Sequence, residues 1–216
     1  MQWQVLLLKL AEGMLISVEI FTLTLLFSLP LGLFVAFGRM SKNPFLRNTI
    51  KIYISIMRGT PLMLQLMVVY FGPYFIFGIT TPKGYRFIAV IIGFVLNYAA
   101  YFAEIYRAGI ESMPTGQYEA AKVLGYNKTQ TFIRIILPQV IKRILPPVTN
   151  EVITLIKDTS LAFVISVSEM FTAAKAIASA QRSVLPFVAA GIFYYVFNFI
   201  VAFFMEWVEN KFNYFK

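Results

Sequence analysis

The chain contains no cysteine and no histidine, and these two absences narrow its chemistry sharply. Without cysteine there are no disulfides and no thiol nucleophile, and without either residue most transition-metal ligand sets are out of reach. Charge is scarce as well, at 13% of residues against roughly 25% in an average soluble domain. Carboxylate chemistry is what remains open, on a chain of 216 residues that is 59% hydrophobic with a mean hydropathy of +0.72. Such a composition belongs in a lipid bilayer. The net charge of +9 does not signal nucleic acid, because the nineteen Lys and Arg residues are spread between apolar runs rather than gathered on one polar face.

No basic n-region precedes the apolar residues of the opening MQWQVLLLKLAEG, and no small-residue cleavage site precedes the next apolar run, so the segment reads as no cleaved leader. Its Val5, Leu6, Leu8 and Leu10 fit a short helix lying on the membrane surface. A spanning helix needs about 20 mostly apolar residues. Segments 14–38, 52–77, 87–106, 151–174 and 185–208 qualify, which predicts an all-α polytopic membrane protein of five spans forming a single transmembrane domain over 1–216. The fourth segment carries Lys157, Asp158 and Glu169, so it can span only if those groups face protein or water.

Orientation follows from the basic residues, which collect in cytoplasmic loops. Arg39, Lys42, Arg47 and Lys51 share a side with Arg107, Lys122, Lys128, Arg134, Lys142 and Arg143 and with Lys211 and Lys216. The opposite side holds Lys9, Lys83, Arg86, Lys175 and Arg182. The N-terminus is therefore expected outside, the C-terminus inside, and the long loop 108–150 in the cytoplasm. Within that loop Tyr118 to Leu124 reads as a helix with Gly125 at its C-terminal cap. A second helix is expected from about Thr129 to Leu137, stopped by Pro138, with Pro146 and Pro147 marking entry to the next span.

These loop residues carry a specific pattern. Glu119-Ala120-Ala121, three residues, Gly125, nine residues, Ile135, one residue, then Leu137-Pro138 resembles the EAA loop of the integral-membrane subunits of bacterial ATP-binding-cassette importers. "RGTPL" at Arg58 to Leu62, "AEIYRAGIESMPTGQYEAAKVLG" from Ala103 and "LPPVTNEVITLIKDTSLAFVI" from Leu145 resemble the polar amino-acid branch in particular, over about Gly13 to Tyr214. The resemblance implies that the hairpin is a coupling helix docking on a separate cytoplasmic ATPase dimer, which binds ATP and Mg, while this chain holds no cofactor. It also implies a second permease subunit, identical or paralogous, and an external substrate-binding protein. The residues agree with that role: Ala120 and Ala121 permit close approach, Glu119 favours a helix N-terminus, and Gly125 allows a sharp turn. No G-x-x-x-x-G-K-[ST] phosphate loop is present, so the chain itself reads as no ATPase.

Ionisable groups inside a membrane are functional candidates by default. Asn97, Tyr101 and Glu104 recur at i, i+4 and i+7, giving one helical face an amide, a phenol and a carboxylate. Asn150, Thr154 and Lys157, with Glu151 and Asp158 one step round, form two further polar stripes, and Gln65 and Met67 are candidates to line a pathway. Against these stand plainer readings: Glu104 paired with Arg107, Asp158 neutralising Arg58 or Lys157, Arg58 to Pro61 as a kink with a close-packed Gly59, and Tyr70 and Tyr74 as packing. Carboxylates outnumber cations on the candidate faces, which favours a basic amino acid such as arginine, lysine or histidine as cargo. Glutamine is the alternative, since Asn97, Asn150 and Tyr101 suit an amide. An ion-coupled carrier would show inverted repeats, which the sequence lacks, and an intramembrane hydrolase lacks a nucleophile motif.

Overall fold

The computed structural model describes residues 3–212, so Lys216 of the expected cytoplasmic set lies outside them. Among the described residues there are nine α-helices and no strand: α1 (Trp3–Arg39), α2 (Pro44–Gly59), α3 (Leu62–Phe77), α4 (Tyr85–Glu111), α5 (Thr115–Val123), α6 (Lys128–Thr131), α7 (Leu137–Asp158), α8 (Met170–Gln181) and α9 (Leu185–Lys211). By length and composition α1, α4 and α9 can each cross a membrane, and counting the bent pairs α2–α3 and α7–α8 as one span each raises the number to at most five. The main core lies where α4 meets α1, α3 and α7, around Ile20, Leu66, Phe94, Tyr98, Phe102 and Leu155.

The separate surface helix expected at the N-terminus does not exist, because α1 is one unbroken helix of 37 residues. Leu6 and Leu10 are buried against Met170, Ala174 and Ile177 of α8, so these apolar positions face protein. Gly13 sits in the same seam, where an added Cβ would stand 2.7 Å from the Met170 Cα; only glycine lets the two backbones come this close.

The single span expected over 52–77 is divided into α2 and α3, bent by 111°. Pro61 disfavours helical geometry in the residue before it, and Thr60 is extended at φ −123°, ψ 148°. One amide then fastens the corner: the Gln65 Nε2 lies within hydrogen-bond distance of three acceptors, the Met57 carbonyl (3.0 Å), the Thr60 carbonyl (3.0 Å) and the Thr60 hydroxyl (2.8 Å). The kink read from Arg58 to Pro61 is present, but Gly59 packs against nothing; an added Cβ would meet no atom within 4 Å.

The loop and the fourth span also differ from expectation. The helix entering Pro138 does not stop there. Residues Phe132–Ile136 adopt π-helical register, with the Leu137 N–H donating to the Phe132 carbonyl, and the Gln139 side chain donates to the Ile135 carbonyl at 2.7 Å. The wider register makes room for the proline ring, and α7 runs on through Pro146 and Pro147 to Asp158. Segment 151–174 is not one helix either. A 3-10 turn (Thr159–Ile165) ends at Ser166 in left-handed geometry (φ 58°), and α8 leaves at a 59° bend. Glu169, read from sequence as a charge within a span, is instead the fully buried N-cap of α8: its carboxylate accepts from the Phe171 and Thr172 N–H groups (both 2.7 Å), the Thr172 hydroxyl and the Tyr194 phenol.

Candidate functional site

The end of α2, the C-terminal half of α4 and the middle of α7 enclose an open cavity of about 440 Å³. From α4 come Tyr101, Glu104, Ile105, Ala108 and Ser112, one face of the helix at successive turns. From α7 come Arg143, Pro147 and Glu151, spaced i, i+4 and i+8. Arg58 enters from the end of α2, its guanidinium 5.2 Å from the centre of the Tyr101 ring, within range of a cation–π contact.

Glu104 is the hub of an ion cluster. Arg107 grips it, with Nη2 2.6 Å from Oε2 and Nε 3.2 Å from both oxygens. The Arg39 Nε lies 3.9 Å and the Arg58 Nη1 4.0 Å from the same carboxylate, and Arg107 also reaches Glu111 at 2.5 Å. The plainer reading of Glu104 as the partner of Arg107 is therefore realised, and the local charge is not the excess of carboxylates expected from sequence. Glu151, the other carboxylate lining the cavity, takes no part in these four ion pairs.

Of the other residues proposed from sequence, several lie elsewhere. The buried Asn97 donates to the Met57 carbonyl (3.0 Å) and to the Gln65 Oε1 (2.9 Å), so both amides serve the α2–α3 corner. Asp158 accepts from the Tyr98 phenol at 2.7 Å, in place of the cross-helix ion pair expected with Arg58 or Lys157. Asn150 is exposed, its carbonyl taken by the Thr154 hydroxyl (2.9 Å), and Met67 is a partly exposed residue of α3. Conversely Arg143, counted from sequence only as a basic loop residue, faces the cavity and donates to the Ser112 carbonyl at 2.8 Å. Its i+8 relation to Glu151 was hidden because Pro146 and Pro147 look like a helix boundary.

At the far end of α4, α5 carries the EAA-like residues. Ala121 is buried while Glu119 and Ala120 are exposed, and the tip that follows is apolar, with Val123 88% and Leu124 72% exposed. Gly125 closes the helix at φ +79°, a left-handed position that glycine takes without strain, and the Tyr126 N–H returns to the Ala121 carbonyl at 3.0 Å. Asn127 and Gln130 then form a reciprocal capping box that starts α6. Met113, Ile136 and Val140 form a small core of their own beneath the hairpin, with Leu137 half-buried and Pro138 exposed along the same turn.

The chain thus combines several helices long and apolar enough to cross a membrane, an open charged cavity between them and an exposed, capped hairpin. Residues 28–214 match the family described as binding-protein-dependent transport system inner membrane component. The chain is 41% identical to the L-cystine transport system permease protein TcyL of Bacillus subtilis, over 91% of this chain and 84% of that one. It is 35% identical to the putative glutamine transport system permease protein GlnP of Rickettsia bellii, covering 94% and 93%, and 40% identical to the octopine transport system permease protein OccM of Rhizobium radiobacter, covering 82% and 76%. Among solved structures, a crystal structure of an amino acid ABC transporter with histidines superposes with a TM-score of 0.85 at 31% identity over 94% of each chain. The MetNI methionine ABC transporter, at 16% identity and a TM-score of 0.70, shares the fold. The chain belongs to the binding-protein-dependent inner membrane component family. It is a permease of an amino-acid ABC importer, resident in the cytoplasmic membrane.

Proposed function

We propose that this chain forms half of a substrate path for polar amino acids, with the cavity between α2, α4 and α7 as its contribution. In this reading residues 1–216 make one transmembrane domain of five passes, each bent pair counting as one, with the N-terminus outside and the C-terminus and loop 108–150 in the cytoplasm. The other half comes from a second permease subunit, substrate is delivered by an external binding protein, and a separate ATPase dimer binds ATP and Mg. Glu119, Ala120, Ala121 and Gly125 build the coupling helix, and Leu137 and Pro138 fix the return of the hairpin. The exposed Val123 and Leu124 supply the apolar surface that enters the ATPase.

The observation that carries the substrate reading is the presence of both signs of charge around one cavity: Arg58 from α2, with Arg143 and Glu151 from α7. Every free amino acid brings a carboxylate and an ammonium, and these groups suit such a cavity. Tyr101 contributes a phenol beside Arg58, Glu104 holds the guanidiniums in place, and Asn97 and Gln65 act through the corner that presents Arg58. The preferred cargo is arginine, lysine or histidine, selected by Glu151, the carboxylate free of the ion cluster. Glutamine is a second reading, supported by the neutralisation of Glu104 and by a relative named for glutamine transport.

The test is uptake into proteoliposomes holding the assembled transporter, with labelled arginine and glutamine and the Glu151→Gln variant. Loss of one charge-assisted contact is expected to lower arginine uptake about 10- to 100-fold while sparing glutamine. An equal loss for both, or for neither, would overturn the role given to Glu151.

A further inference from the structure

Helix α2 presents three different faces. Ile50, Tyr53, Ile54 and Met57 turn toward the protein, where Ile54 packs with Val35, Ala36, Ala100 and Ala103 and the Tyr53 phenol donates to the Leu96 carbonyl at 2.6 Å. Phe45, Ile52 and Ile56 lie on one stripe and are 80%, 61% and 51% exposed. Arg47 and Lys51, both exposed, share another stripe about 140° round the helix from the apolar one, with Asn48 and Ser55 completing the polar side, while Arg58 at the end of the helix turns to the cavity and Glu104.

The helix also lies across its neighbours. Leu46 and Ile50 lie by Gly38 of α1, and Ile54 packs in a cluster with Val35 and Ala36 of α1 and Ala100 and Ala103 of α4, so α2 crosses both helices. The 111° bend to α3 repeats this geometry, since α3 runs antiparallel along the membrane-crossing α4, Leu66 meeting Gly93 and the Tyr85 phenol donating to the Val69 carbonyl. A helix perpendicular to the spanning bundle, apolar on one side and basic on the opposite side, is built to lie in a membrane–water boundary.

Charge identifies what meets the basic side. Between Glu19 and Glu104 the sequence contains no carboxylate, while Arg39, Lys42, Arg47 and Lys51 crowd the α1–α2 turn. Lysine is depleted from protein interfaces, and the chain supplies no local counter-charge for Lys42, Arg47 and Lys51.

We propose that α2 is an interfacial helix that binds anionic phospholipid: Phe45, Ile52 and Ile56 enter the acyl boundary, and Lys42, Arg47 and Lys51 hold headgroup phosphates. This assignment is independent of which amino acid is carried.

The absence of cysteine makes the test direct. The assembled transporter, carrying a nitroxide at Ile52→Cys or Ser55→Cys, is reconstituted in phosphatidylcholine with or without phosphatidylglycerol. The Ile52 label should be relaxed by oxygen, which partitions into lipid, and the Ser55 label by a water-soluble nickel chelate. A fluorophore at Asn48→Cys, quenched by nitroxide-labelled lipids, gives the preference for phosphatidylglycerol over phosphatidylcholine. Each basic residue at an anionic surface is worth about fivefold, equivalent to about 1 kcal/mol, so Arg47→Gln/Lys51→Gln should reduce the preference about 25-fold, and high salt should reduce it in the parent. Protection of both labels from both relaxants would show that protein, such as a second permease copy, covers α2, and would overturn the proposal. A lipid preference unaffected by the double substitution or by salt would overturn it equally.

Discussion

Replacing Glu104 by Gln preserves the shape of the side chain and removes the charge that three guanidiniums share. The carboxylate is 2.6 Å from Arg107, 3.9 Å from Arg39 and 4.0 Å from Arg58, with 18% of its side chain exposed. Truncating one partner of a hydrogen-bonded, largely desolvated charge pair costs about 2–5 kcal/mol. Because Arg107 keeps Glu111 at 2.5 Å, the cost belongs at the lower end, about 2–3 kcal/mol, with the two longer pairs adding about a few tenths each. The assay is denaturant-induced unfolding of the purified transporter, with uptake per folded molecule measured alongside. Arg107→Gln in the same background should recover part of the loss, since fewer cations are then left without a partner, giving a coupling of about 1–3 kcal/mol. Uptake per folded molecule should change by no more than about threefold. Unchanged stability with a tenfold or greater fall in uptake would refute the hub role and make Glu104 a substrate ligand; strict additivity of the two substitutions would refute the pairing itself.

Other expectations follow from single contacts. Gly13→Ala drives a methyl into the Met170 backbone and should destabilise by about 1–3 kcal/mol, seen as a lower unfolding midpoint; no change would mean that α1 and α8 are less closely packed than described. Gln65→Leu removes the donor to Met57 and Thr60 and leaves the Asn97 amide with the Met57 carbonyl as its one remaining acceptor among these contacts. It should cost about 1–3 kcal/mol, and a spin-label distance across the α2–α3 corner should broaden. Gly125→Val forces a β-branched residue to φ +79° at about 1–2 kcal/mol; coupled ATP hydrolysis should fall while the membrane helices retain their thermal stability.

How much was legible in the sequence depended on the length scale of the signal. The apolar runs located α1, α4 and α9, because a long run survives local variation. Residues whose meaning depends on a helix continuing or stopping were harder to place. Pro61 breaks a run that looks continuous, whereas Pro138, Pro146 and Pro147 sit in a helix that continues, since a π-helical turn just before Pro138 accommodates its ring. Arg143 could not be joined to Glu151 until that continuity was known. Glu104 and Tyr101 were found by i+3 and i+4 spacing and do share one cavity wall, but spacing on one helix says nothing of Arg39 and Arg58, which arrive from two others. Asn97 was read as part of a substrate-facing stripe and Gln65 as a pathway residue; only the bend showed that the two amides bond to each other.

The most direct test of the account is amino-acid accumulation in proteoliposomes containing the permease pair, ATPase and binding protein, with and without ATP, in the parent and in Val123→Asp/Leu124→Asp. The account predicts accumulation that requires ATP and is lost in the variant, although the variant stays folded, because the apolar tip of α5 is what engages the ATPase. Accumulation that persists without ATP, or that the two aspartates leave unchanged, would contradict it.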